Sequence, residues 1–326
     1  MSTVARSSVI FAAFLAVGLP IAPAHAQLAR TFVSSVNGND ANNCDRPTPC
    51  RTFQTAHDKT LANGEITVLD PGGYGAVTIN RAIGIIDDGV GEAGVLVSSG
   101  VTGITVAAGA SDAVSLRGLT VTGIGFGGGN GIVFKSGKSL TVENCVARNL
   151  TGTFPIGNGI LLQPNGSASF AVSNTVVANN DGAGLAVIPT GSVTVRAVFT
   201  RISAHNNGGG GIGIDGTRSS GTLSATIADS VSHDNLVGFV AGSLPGGAAT
   251  TLMITRSVAA NNNSFGILAS SVDPNVTVLI GQSTLTGNNA SWTIGANGRA
   301  IFESYGDNNI DGNHDGDPAP PVISRR

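Results

Sequence analysis

A spacing of about 27 residues, kept through much of the chain, constrains this sequence more than any other feature. VVANNDGAGLAV (176–187), ISAHNNGGGGIGI (202–214), VSHDNLVGFVA (231–241) and VAANNNSFGILA (258–269) are variants of one phrase. Asn149, Asn179, Asn206, Asp234, Asn261 and Asn288 form one column, at intervals of 30, 27, 28, 27 and 27. Gly159, Gly184, Gly211, Gly238, Gly266 and then Thr293 form a second. Asn144, Asn174, Arg201, Asp229, Arg256 and Ser283 form a third. Three columns in one register mark a solenoid, in which each unit buries its apolar face on the next.

Each unit holds three short alternating runs, such as FAVSNTVV (170–177), GLAVI (184–188) and SVTVRAV (192–198). Alternation puts one side of each run inside. Only 11% of residues are charged, and Val, Ile, Thr, Ser, Asn and Gly dominate, so strands and turns are expected. The predicted fold is all-β, a coil of three strands per turn whose turns stack with parallel strands. EITVLD (65–70), AVTINRAIGII (76–86), GVLVSS (94–99), GITVAA (103–108) and AVSLRGLTVTG (113–123) extend it toward the N-terminus. Eight or nine coils at the strand spacing span about 40 Å. The solenoid is expected over 64–313, with a polar tail, read as loose, over 314–326.

The Asn column has a physical reading. A bend between strands needs a residue that tolerates left-handed backbone angles, which Asn and Gly do at least cost. Asn stacked on Asn can also join neighbouring coils through side-chain amides. Asn149, Asn179, Asn206, Asp234, Asn261 and Asn288 are therefore predicted to form both the turn and a ladder.

Residues 1–26 carry a positive start at Arg6, an apolar run (9–22) and small residues at Ala24-His25-Ala26. This is the pattern of a cleaved secretory signal, implying a periplasmic or secreted protein. Removing it takes away Arg6 and moves the formal charge from −3 to −4. No later run is long enough to span a bilayer. Export makes a disulfide between Cys44 and Cys50 the favoured reading of NCDRPTPCR, with two free thiols as the alternative. Cys145 reads as a small buried side chain. TFQTAHDKTLANG (52–64) suits a short amphipathic helix, and the region 27–63 is expected to cap the open end of the stack.

FVSSVNGNDANNCDRPTPCRTFQTA (32–56) followed by GEITVLDPGGYGAVTI (64–79) resembles the opening of exported bacterial right-handed parallel β-helix proteins, the pectin-lyase-like group. The resemblance covers about residues 30–313 and implies a right-handed parallel β-helix. The group includes pectate lyases, polygalacturonases, epimerases, tailspikes and adhesins, so it leaves activity open. The polygalacturonase pattern is not met. Asp87-Asp88 stand apart from any His-bearing coil, Arg201-Ile202 is followed by Ser203, and no Gly-His-Gly occurs. The scattered acids also do not match the calcium-binding set of pectate lyases.

One cluster remains. Arg201, Asp229 and Arg256 share a column, His205 and His233 another, and Asp234 follows His233. On one face, a His or Arg there would take a sugar proton while another Arg neutralises a uronate. The competing reading is a charge ladder on a solvated face beside two turn histidines. Arg201, Arg256 and Trp292 are the ligand-binding candidates, Trp292 as a sugar-stacking ring or as a packing plug. The single Gly-Gly-x-Gly-x-Asp at 210–215 lacks the tandem repetition that binds calcium, and Asp307-x-Asn309-x-Asp311-Gly312 reads as a last Asn turn. No metal, cofactor or nucleic-acid signature is present. The expected function is a secreted, non-catalytic β-helix that binds a glycan or another surface. The alternative is a polysaccharide lyase or related enzyme acting on uronic-acid polymers.

Overall fold

The computed structural model describes residues 28–98, 100–123, 128–153, 155–295 and 298–325. The signal-like residues 1–26 lie outside them. The described residues form a right-handed parallel β-helix of about eight turns with one short helix. Three faces run the length of the stack. In one coil, Thr222–Ala228 lies on face A, Val231–His233 on face B and Val237–Gly242 on face C. The next coil repeats this with Ala249–Thr255, Val258–Ala260 and Phe265–Ser270. Each strand pairs in parallel with its counterpart one coil away. Face C alone is a nine-stranded sheet.

The register produces interior columns of like side chains. On face A, Val142, Val172, Phe199, Ile227, Ile254 and Ile280 stack in order. On face C, Ile132, Ile160, Leu185, Ile212, Phe239 and Ile267 do the same. All twelve are buried. Each is worth about 1.5–3 kcal/mol relative to exposure. No coil can bury these residues alone, so stacking and folding are one event.

The predicted bends are present, with one slip. Asn149, Asn179, Asn206, Asp234 and Asn261 all have positive φ, between 53° and 58°. Asn288 does not belong to this column. The last position is Gly287, at φ 66°, because the final repeat is one residue shorter than a fixed 27. The same shortening replaces Ser283 by Gln282 (φ 53°) at the other bend, after Asn144, Asn174, Arg201, Asp229 and Arg256. In the Gly column Ser291, not Thr293, follows Gly266; Thr293 pairs with Leu268. These glycines are needed for close approach. A Cβ at Gly159, Gly184, Gly211 or Gly238 would lie 2.4–2.9 Å from the carbonyl of the next coil's glycine.

The amide ladder forms one residue later than expected. Its rungs are Asn180, Asn207, Asn235, Asn262, Asn288 and Asn313, all buried. Nδ2 of each of the first five donates to Oδ1 of the next at 2.8–3.3 Å. Each Oδ1 after the first also accepts the backbone amide of the preceding rung. Asn288 is thus a ladder rung, whereas Asn149, Asn179, Asn206, Asp234 and Asn261 are bend residues. The division is geometric. The left-handed residue turns its side chain outward, and the residue after it points in, where an unpaired amide is costly and a paired one is retained.

Both ends differ from the sequence reading. Leu28–Val33, inside the expected cap region, is already a face A strand paired with Thr60–Val68. Cys44 and Cys50 are bonded to each other. Their loop covers the edge of that first strand: Phe32 donates to Cys44 O, and Cys50 donates to Phe32 O. The helix spans Phe53–Lys59, with the Thr52 side chain capping Thr55 N, and it buries Phe53, Ala56 and His57. It stops at Thr60, where the chain turns extended to enter the first long strand. At the other end, the described residues 314–325 are not a loose tail. Ser304 donates to Pro321 O and Ile323 to Ser304 O, so the tail continues face A by one more step. Asp317 terminates the ladder by accepting from Nδ2 and N of Asn313.

Candidate functional site

The sequence candidates converge on face B and its two flanking bends. Arg201, Asp229 and Arg256 stand at the bend where face A passes into face B, each in a left-handed conformation that turns its side chain outward. They form a row along the stack. Arg201 Nε donates to Asn174 Oδ1 at 2.5 Å. Arg256 grips Asp229 with two bonds, Nε to Oδ1 at 2.7 Å and Nη2 to Oδ2 at 2.9 Å. The Arg256 hydrogen bonds hold the Asp229 carboxyl below the usual carboxylate range, and raise Arg256 in turn. Asp229 therefore remains an anion at neutral pH.

His205 and His233 stand at the opposite edge of face B, at the ends of Thr194–His205 and Val231–His233. Their register is direct. The rings stack with centroids 5.0 Å apart and planes 13° from parallel. Nδ1 of His233 lies 2.6 Å from Oδ2 of Asp234. Partial burial, then the neighbouring His233, lowers the proton affinity of His205. Arg201 and His205 are four residues apart on an extended strand, about 13 Å. The structure thus brings the candidates to one face but sorts them. Guanidiniums line one edge, imidazoles the other, and Ser203, Val231 and Val258 lie in register between them.

Face A, on the other side of the arginine row, presents a flat hydroxyl-rich surface. Ser169, Arg196, Ser224, Thr251 and Thr277 follow one another in register on its outer side.

No protein-family model matches this chain, and no curated protein matches it. Solved structures do. A pectate lyase, Pel9A, is 18% identical with a TM-score of 0.57, covering 91% of this chain and 78% of that one. A rhamnogalacturonan lyase is 12% identical with a TM-score of 0.51, covering 90% of this chain and 89% of that one. This chain shares the parallel β-helix fold of these two structures. At these identities the likeness concerns the path of the backbone, and the chemistry has to be argued from this chain's own side chains.

Within this parallel β-helix, other candidates resolve into structural parts. Trp292 is not a sugar platform. It continues the inner face C column after Ile267, stacks on Phe302 at 4.6 Å and donates from Nε1 to Pro318 O at 2.7 Å. It closes the end of the core. Asp87 accepts from Gly89 N and Val90 N, both at 3.0 Å, to make a turn, and Asp88 pairs with Arg117. Asp215, in the Gly-rich 210–215 stretch, accepts from Thr217 N at a strand end. Among the described residues, no three His, Cys, Asp or Glu side chains gather as a metal site. No helix of the described residues is long and apolar enough to cross a membrane.

A groove at the C-terminal end of face A was not foreseen. It encloses about 850 Å³ and is lined by Met253, Leu279, Gln282, Glu303, Tyr305 and Arg325, among others. The sequence held a signal for its floor. IFESYGD (301–307) alternates, which puts Glu303 and Tyr305 on the same outer side. Its far wall depended on a tail read as loose.

Proposed function

We propose that this β-helix is an exported, non-catalytic glycan-binding protein that takes an anionic polysaccharide along the Asn174–Arg201–Asp229–Arg256 row. Arg201 and Arg256 are two coils apart, about 10 Å along the axis. The hydroxyl-rich face A adjoins them, so a linear polymer of uronates laid along the stack meets guanidiniums and hydroxyls in turn. Planar guanidinium forks suit carboxylates.

The observation that carries the non-catalytic reading is the separation of the two edges. Proton abstraction next to a uronate carboxylate needs the base and the neutralising cation at one sugar ring. Here the guanidiniums stand along one edge of face B, while the imidazoles stand across the face. The nearest acids are spent in ion pairs or hydrogen bonds.

A lyase is the second reading. It draws on two of the structures similar to this chain, a pectate lyase and a rhamnogalacturonan lyase, and on His205, whose lowered proton affinity keeps a neutral imidazole available as a base. Affinity electrophoresis through pectate and alginate, with parallel assay of unsaturated products, separates the two. Retardation without product supports binding. Turnover supports the lyase.

A further inference from the structure

The C-terminal groove is a built site. Its floor is face A. Met253, Leu279 and Glu303 follow one another in register on Ala249–Thr255, Val276–Gly281 and Ile301–Ser304. Gly281 leaves room for a ring. A Cβ there would come within 3.1 Å of Tyr305 Cδ2, so the aromatic ring lies against the strand and faces the cavity. The tail supplies the opposite wall. It is fixed by the backbone bonds of Ser304 with Pro321 and Ile323, and Arg325 then pairs with Asp307. Asp307 is held in turn by accepting from Gln282 N at 3.1 Å. Among the described residues no cation pairs with Glu303, which leaves a free carboxylate beside an apolar floor.

A volume of about 850 Å³ falls within the roughly 300–1,000 Å³ of small-molecule pockets. Glu303, Asp307 and Arg325 sum to −1 (two acids, one base), which disfavours a uronate. An aromatic ring and aliphatic floor beside an unpaired carboxylate match a sugar ring, whose C–H face is apolar and whose rim carries hydroxyl donors.

We propose that this groove binds a neutral oligosaccharide. Tyr305 and Leu279 take the C–H face of a ring, Glu303 accepts from its hydroxyls, and the Arg325–Asp307 pair latches the wall. The site rests on its own residues and not on the arginine row.

Calorimetric titration of the mature chain with cellotriose, maltotriose, mannotriose and trigalacturonate tests it. At least one neutral trisaccharide is expected to bind. That binding is expected to weaken about tenfold or more in Glu303→Gln, and to be lost on deletion of residues 323–326, with thermal unfolding measured in parallel to show both variants folded. Retention on pectate is a separate readout and is expected to persist in both. No binding of any neutral trisaccharide, equal binding by both variants, or tighter binding of trigalacturonate than of the neutral sugars overturns the proposal.

Discussion

The side chain of Asn207 donates from Nδ2 to Oδ1 of Asn235, 2.8 Å away and one coil further along. The same Nδ2 donates to Val177 O at 3.1 Å, so one buried amide ties three coils together. Its neighbour Asn206 turns the backbone at φ 53°. The two residues look interchangeable in sequence and are not. Replacing Asn207 with Ala leaves buried partners unpaired and is expected to cost about 1–3 kcal/mol. Asn206→Gly keeps the bend and is expected to cost less than about 1 kcal/mol. Urea unfolding of both variants checks this; equal losses contradict the division of labour.

The Gly column predicts a steric effect. A Cβ at Gly238 would sit 2.4 Å from Gly266 O. Gly238→Ala must push two coils apart, at about 1–3 kcal/mol. Gly213 is a control on the same face, since a Cβ there meets only Val240 Cβ at 3.6 Å. Gly213→Ala should leave the unfolding midpoint close to that of the wild type.

Much of this was legible in the sequence, for a definite reason. Stacked coils repeat their constraints, so bends and core positions recur at one interval, and three columns suffice to set the register. What failed was the assumption of a constant interval. The final repeat loses a residue, and Asn288 and Ser283 slid out of the bend columns for that reason. The inward turn of the residue after each bend also has no sequence mark when Asn follows Asn, as at 179–180 and 206–207. Trp292 was ambiguous because an aromatic on an alternating strand faces in or out according to a register that only neighbouring coils fix. The tail was misread because polar, Pro-rich composition says nothing of backbone pairing. The Arg and His candidates share face B in the columns their spacing implies, but the four-residue step from Arg201 to His205 becomes a distance only when the strand is known to be extended.

The disulfide makes a third prediction. Cys44 and Cys50 close a loop of separation 6 that covers the first strand, so Cys44→Ser is expected to cost about 2 kcal/mol. Cys145 is fully enclosed, and burial pushes its thiol up to about 11. Thiol titration of the exported protein should find no reactive group when folded and one when unfolded. Three reactive thiols on unfolding without reductant contradict the bridge.

Stability should depend on pH through His57 as well as His205. The His57 ring is buried, with Nδ1 against Asp58 and Nε2 accepting from Asn80 N at 3.4 Å. Burial lowers its proton affinity in the fold, as it does for His205. The neutral form is therefore favoured by folding. Stability is full above the unfolded value of about 6.5 and falls as pH drops toward the lowered folded value. The buried His57 contributes at most about 1.4 kcal/mol per pH unit in that window, and the more exposed, solvent-screened His205 less. Unfolding midpoints at pH 7.5 and at lower pH should diverge, and His57→Gln should narrow the gap. A gap unchanged in that variant contradicts the assignment.

On the proposed function, the arginine edge binds an anionic glycan without cleaving it. Affinity electrophoresis of the mature chain through pectate, with absorbance of unsaturated products followed on the same samples, tests this most directly. The wild type is expected to be retarded, the Arg201→Ala, Arg256→Ala double variant to be released, and neither to form product. Because the Arg256–Asp229 pair is exposed, the double variant should unfold close to the wild-type midpoint. Product formed by the wild type and abolished by His205→Ala or His233→Ala would contradict it.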